Sequence, residues 1–207
     1  METQSVLRKA GWLLVGSVVV LLATLAMGGM LFISCEPEKT EEEISLDFTR
    51  EELVARGKYL VNTSACHDCH TPKVMTPQGP DFDTTRLLSG HPSNTPVPTI
   101  SKEVLKNWVL FGQDLTSAVG PWGVSFAANL TSDETGTGNW TEEQFMTAIR
   151  KGKYKGLEGS RDLLPPMPWQ VYRGMTDHDL KAIYQYLQTT KPISNIVPPP
   201  IAPQDIH

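Results

Sequence analysis

The densest chemistry in this 207-residue chain lies in five consecutive residues, Cys66-His67-Asp68-Cys69-His70. Cysteines three positions apart stand one helical turn apart, and the histidine directly after the second shares their end of that turn. This C-x-x-C-H spacing is the attachment motif of c-type haem. Thioether bonds from Cys66 and Cys69 can reach the two vinyl groups of one porphyrin, which places the His70 imidazole under the ring as an iron ligand. Two other chemistries use a C-x-x-C pair. Zinc would need two further ligands, and the chain has no second Cys or His pair. A redox dithiol would sit in a βαβ context that the sequence lacks. One motif implies one covalently bound haem c.

The elements that must position this motif are helices. Thr49-x-x-Glu52 is a capping box followed by Leu53, Val54, Leu60 and Val61, which predicts a helix from Thr49 to about Thr63, just before the motif. A second helix is expected over about Lys102–Phe111, capped by Ser101 and stopped near Gly112. A third starts at Thr141 with Gln144 as its box partner, turns Phe145, Ala148 and Ile149 inward and ends by Gly152. The last follows Thr176-x-x-Asp179, where Leu180, Ile183, Tyr184 and Leu187 form an apolar stripe at helical spacing. Met175 before that cap and Leu180 beyond it make a hydrophobic staple. Strand signals are scarce. The stretch from Thr71 to Ser101, rich in Pro, Gly, Thr and Ser, is expected to run as loops. Residues 192–207 carry five prolines and should form an extended tail biased to polyproline II. The fold class expected is mainly α, with three to five helices around one haem and long loops.

The N-terminus carries a different signal. Ala10 to Ser34 holds no charged residue, and its 25 positions would make a helix roughly 37 Å long. A bilayer core is about 30 Å thick, so the segment can span it. Its apolar residues surround the whole helix, unlike the one-sided stripe of a core helix. Arg8 and Lys9 precede the block and an acidic stretch follows, so the positive-inside rule puts everything after Ser34 on the outer side of the cytoplasmic membrane. Cys35 ends the block behind a small residue and resembles a bacterial lipoprotein cleavage site, with Phe32 departing from that pattern. An uncleaved single span and a lipid anchor on Cys35 give the same topology. Four regions follow: the anchor or lipoprotein signal (1–35), an acidic tether (36–47), the haem domain (48–191) and the proline-rich tail (192–207).

The chain resembles class I cytochromes c, in particular the single-haem modules of bacterial respiratory cytochromes and of cytochrome subunits of membrane dehydrogenases. The resemblance spans about residues 50–195. It rests on Gly57-Lys58-Tyr59-Leu60, the C-x-x-C-H motif, Leu88-Ser89-Gly90-His91-Pro92, Asn129-Leu130-Thr131, Gly138-Asn139-Trp140-Thr141, Pro165-Pro166-Met167-Pro168-Trp169 and Met175-Thr176-Asp177. It implies Met167 as the distal iron ligand opposite His70. The local chemistry agrees, because Pro165, Pro166 and Pro168 fix φ and remove N–H donors, leaving a stiff loop able to hold a thioether still. Met75 and His91 are the competing sixth ligands. Met146 reads as packing, and His67 is expected to face solvent. The resemblance also implies that the first and last helices cross near the haem, where Gly57 would allow a close approach to Tyr184 and Tyr186. The connection from His70 to Met167 is long for this family, and the excess, mainly Pro72–Leu115, reads as an insertion that covers a haem edge or docks a partner.

Composition limits the remaining function classes. Three cysteines are too few for a disulfide-stapled miniprotein. The formal charge of −5 argues against nucleic acid as a partner. From Phe48 onward 15 Lys and Arg face 16 Asp and Glu, so the acidity belongs to the region before the haem domain. A haem iron with both axial positions filled favours electron transfer over oxygen or peroxide chemistry. The main expectation is a one-electron carrier of a respiratory chain at the outer, periplasmic face of the membrane. It would exchange electrons with a quinol-oxidising complex, a terminal oxidase or a dehydrogenase, and would not itself be an enzyme. The alternative is a cytochrome subunit held permanently in a dehydrogenase or quinol-oxidising complex. A peroxidase or ligand sensor would need a displaceable Met167. The basic run Arg150, Lys151, Lys153, Lys155 and Arg161 is a candidate for steering an acidic partner.

Overall fold

The computed structural model describes residues 48–206. The expected anchor, Cys35, the acidic tether and His207 lie outside the described residues. No helix among the described residues is long and apolar enough to cross a membrane.

The capping chemistry read from the sequence sets the main helices. Helix α1 spans Arg50–Thr63, and its box is reciprocal: the Glu52 amide donates to Thr49 Oγ1 and the Thr49 amide to the Glu52 carboxylate. Helix α2, Cys66–His70, is a single turn that carries the motif. Helix α3 covers only Lys102–Leu105. Helix α4 spans Glu142–Lys151 with the Thr141/Gln144 box, and Gly152 closes it with φ of 65°. The one-turn α5, Trp169–Tyr172, follows the Pro-rich loop, and α6 spans Asp177–Leu187 under the Thr176 cap. These are six α-helical segments among the described residues, where the sequence leads to three to five. The added ones are single turns, too short to show periodicity.

Helices α1 and α6 cross in tight contact. A Cβ on Gly57 would lie 1.9 Å from the Ala182 carbonyl oxygen and 2.8 Å from Tyr186 Cβ, so only glycine permits this spacing. Arg56 and Asp179 bridge the same crossing at 2.9 Å. Leu60 and Val61 of α1 pack with Phe145 and Ile149 of α4 and with Leu180, Ile183 and Leu187 of α6 to form the main core, joined by Leu88 from the loop region.

Two expectations need correction. The helix over Lys102–Phe111 ends at Leu105 because Leu110 and Phe111 are recruited as strand β3 (Leu110–Phe111), paired antiparallel with β4 (Ser117–Gly120). Strand β5 (Gly123–Phe126) completes this three-stranded sheet through a Pro121-Trp122 turn. In the presumed loop region, β1 (Lys73–Thr76) and β2 (Gly79–Phe82) form a second hairpin. With at most four residues each and glycines at their ends, these strands carry too little alternation to be read from periodicity.

The proline-rich tail has no helix from Pro192 to Ala202, turns once as a 3-10 turn at Pro203–Asp205, and is bound to the domain. Ile201 pairs with Val124 of β5, and the buried Ile206 packs with Val119 and Val124 as a second apolar cluster.

Candidate haem site

A cavity of about 810 Å³ opens between α1, α2, α4, the three-stranded sheet and the Pro-rich loop. Cys66, Cys69, His70 and Met167 all line it. Much of the remaining wall is apolar, with Val61, Leu130, Phe145, Ile149, Leu163 and Leu180 among its side chains. That size is within the ~300–1,000 Å³ of ligand pockets, and the lining is of the apolar kind that a large planar cofactor needs.

His70 is the best-defined group. Its ring is buried, and Nδ1 lies 2.7 Å from the Ala128 carbonyl oxygen. A carbonyl only accepts, so Nδ1 carries the hydrogen and donates it. Burial pushes the His70 pKa down, which keeps the imidazole neutral. The Nε2 lone pair is therefore left for a metal, in the orientation that metal-binding histidines obtain from their second nitrogen. The chain around Ala128 is itself fixed: the Leu130 amide donates to Leu88 O, the His91 amide to Ala127 O and the Gly90 amide to His70 O.

The motif turn is stapled from below. Lys73 Nζ donates to the carbonyl oxygens of His67, Asp68 and Thr71, the last at 2.8 Å, and so satisfies the open C-terminal end of α2. Burial raises the pKa of both cysteines, Cys66 to about 11. Among the described residues no three of His, Cys, Asp and Glu gather into a metal-binding cluster.

Met167 sits half-buried in a loop anchored at both ends. The Pro165–Pro166 bond is cis, and Ser125 Oγ of β5 donates to Pro165 O at 2.6 Å while accepting from Trp122 Nε1 at 3.1 Å. Beyond the methionine, Tyr172 Oη donates to Ser64 O at 2.6 Å, tying α5 to the residues just before Cys66. Burial pushes the Tyr172 pKa up to about 12, so its proton stays in place.

The other candidates lie elsewhere. His91 is buried outside the cavity wall: its Nδ1 is 2.7 Å from Thr116 Oγ1, which donates to Asp114. Met75 is 74% exposed and is not part of the wall. Met146 packs against the main core. His67 departs from the expectation of a solvent-facing ring: it is half-buried, 2.8 Å from Thr71 Oγ1 and tilted against Phe82 of the hairpin. The basic run is also changed by the fold. Arg150 pairs with Asp177, Lys151 with Glu158 and Lys153 with Asp162. The other two, Lys155 and Arg161, line the cavity. Ala128 O, Ser125 and Tyr172 could not be found by motif, because a backbone acceptor and long-range hydroxyl partners leave no pattern.

Comparison with known proteins identifies the family. The family model described as "Cytochrome c" matches residues 54–191. The gluconate 2-dehydrogenase cytochrome c subunit of Pantoea cypripedii is 28% identical over 141 residues, covering 68% of this chain and 24% of that protein. The fructose dehydrogenase cytochrome subunit of Gluconobacter japonicus is 31% identical over 142 residues, covering 68% and 22%. The alcohol dehydrogenase (quinone) cytochrome c subunit of Gluconobacter oxydans is 29% identical over 146 residues, covering 70% and 23%. The chain thus spans about a quarter of the length of these curated relatives. Two thiols and a neutral imidazole on one apolar cavity are the groups that covalent attachment of haem c uses. Since the match covers well over half of its residues, the chain belongs to the cytochrome c family and is an electron-transfer protein with covalently bound haem c.

Proposed function

We propose that this chain is the cytochrome subunit, or the dedicated cytochrome partner, of a dehydrogenase, from which it accepts electrons one at a time. The reading prefers a fixed partnership to a freely diffusing respiratory carrier, because the relatives named above are cytochrome subunits of dehydrogenases. Within it, Cys66 and Cys69 would hold the haem covalently, and His70 Nε2 and the Met167 thioether would bind its iron. Bound haem c supplies a one-electron iron couple. The chain's own residues keep that couple confined to electron transfer. Ala128 O fixes the His70 ring, Ser125 and Tyr172 anchor the Met167 loop at either side, and the apolar wall keeps water from the ring faces. The observation that supports the ligation is the 2.7 Å contact from His70 Nδ1 to Ala128 O, since it commits one nitrogen and leaves the other uncommitted on a residue that lines the cavity.

The apolar block Ala10–Ser34 supports a membrane anchor, by a single span or by lipid on Cys35, with the haem domain on the outer face and one haem per chain. Solubilisation of membranes in mild detergent, followed by affinity purification of this chain, tests the partnership. A dehydrogenase that copurifies in fixed ratio and reduces the haem when given its substrate is the expected result. Recovery of the cytochrome alone, with equal reduction by unrelated donors, would leave a free carrier.

A further inference from the structure

Residues 192–206 lie beyond the part of the chain that the family model matches, yet they build part of the haem cavity. Ile196, Val197, Pro198 and Pro200 all line it. Ile196 is 76% exposed although it faces the cavity, so it stands at the mouth. The segment is held at two points. Asn195 is buried, and its Nδ2 donates to Ser89 O at 2.6 Å and to His91 O at 2.9 Å, while Oδ1 accepts from the Ser93 amide at 3.1 Å. Its own amide donates to Thr135 Oγ1 at 3.0 Å. Farther on, Ile201 and Val124 exchange backbone hydrogen bonds at 2.8 and 3.0 Å. The stretch between these anchors is pinned at both ends, and its prolines have little conformational freedom to lose.

We propose that this C-terminal segment is a wall of the haem site, with Asn195 its positioning residue and Ile196 and Val197 the residues that keep water from the exposed haem edge. The inference rests on the haem ligation given above. The oxidised iron centre carries one more positive charge than the reduced one. A low-dielectric wall disfavours the more highly charged form, so the wall raises the reduction potential. Admitting water at that edge reverses the effect. Asn195 acts at a distance: it grips the Ser89–His91 turn, whose Gly90 amide bonds His70 O.

The test is spectroelectrochemical titration of the purified full-length holoprotein in detergent, comparing wild type with the double variant I196Q/V197N and with N195A. Both variants are expected to lower the reduced-to-oxidised ratio at a fixed ambient potential by about tenfold, equal to 59 mV for one electron. Ile206→Ala loosens the same segment at the second apolar cluster without touching the cavity, and should lower thermal stability with the ratio unchanged. An unchanged ratio in I196Q/V197N, in protein that keeps its Met–Fe(III) charge-transfer absorption, would overturn the wall. An equal shift in Ile206→Ala would also overturn it, by tracing the effect to loosened packing. Absence of that absorption in wild type would instead refute the Met167 ligation.

Discussion

Gly57→Ala is the most direct test of how the fold aligns the haem site. In an isolated helix the change is favourable by about 1 kcal/mol, because alanine loses less backbone entropy. Here the new methyl would sit 1.9 Å from the Ala182 carbonyl oxygen and 2.5 Å from its carbon, both main-chain atoms of α6. No side chain can rotate away to make room. Ordinary contact begins near 3.4 Å, so α1 and α6 must part by roughly 1.5 Å. A gap of that order forfeits a large share of the dispersion between facing side chains. Leu60 and Val61 on one side and Leu180, Ile183 and Leu187 on the other lose it together. Overpacking of this kind costs about 1–3 kcal/mol and occasionally more, and backbone atoms on the receiving side place this site at the upper end. The expected net loss is about 2–3 kcal/mol, which for a domain of this size lowers Tm by roughly 4–12 °C. Thermal unfolding of the holoprotein, followed by far-UV circular dichroism, measures it. Gly159→Ala is the control, since nothing lies within 4 Å of its Cβ position. A Gly57→Ala protein as stable as wild type, or more stable, would refute the close-crossing argument.

Met167→Ala should abolish the Met–Fe(III) charge-transfer absorption and lower the reduction potential, whereas Met75→Ala should leave both unchanged. Ser125→Ala removes the hydroxyl that holds Pro165 O, at a cost of about 1–2 kcal/mol; cyanide should then bind the oxidised protein faster, and an unchanged rate would mean that the Met167 loop does not depend on this bond. Burial lowers the His91 pKa from its ordinary 6.5, so the unfolded chain takes up a proton that the folded protein resists. Stability contributed this way is present above pH 6.5 and falls as pH drops below it. His91→Gln should flatten the dependence of Tm on pH in that range, whatever its effect at pH 8.

What could be read from the sequence follows the range of the interactions involved. The Thr49 and Thr141 boxes, the Thr176 cap and the Gly152 stop are local hydrogen-bond rules, and each helix starts or ends where its own residues dictate. The C-x-x-C-H motif is local too, since one turn of helix carries its geometry. Gly57 was legible only through the family resemblance, because the helix it meets is remote in the chain. The Ser125–Pro165, Tyr172–Ser64 and Asn195–Ser89 bonds join residues 40, 108 and 106 positions apart, and no pattern in the chain marks them. The hairpins were hidden for another reason: Gly120-Pro121-Trp122-Gly123 is a turn signal, but its flanking strands are too short and too rich in small residues to announce themselves. The tail's prolines gave no sign that it is buried at Asn195 and Ile206 or that it turns at Pro203–Asp205.

The partner of His70 has a consequence for how this chain can change over generations. A histidine that donates to a carboxylate becomes a stronger electron donor to its metal, whereas a neutral carbonyl leaves it moderate. Here the acceptor is the main-chain oxygen of residue 128, and every amino acid supplies one, proline included. No point substitution at that position can delete the acceptor or turn it into a charged one. The electronic character of the His70 imidazole is therefore sheltered from mutation at its own contact, and drift must act through the course of the backbone between Ala127 and Leu130.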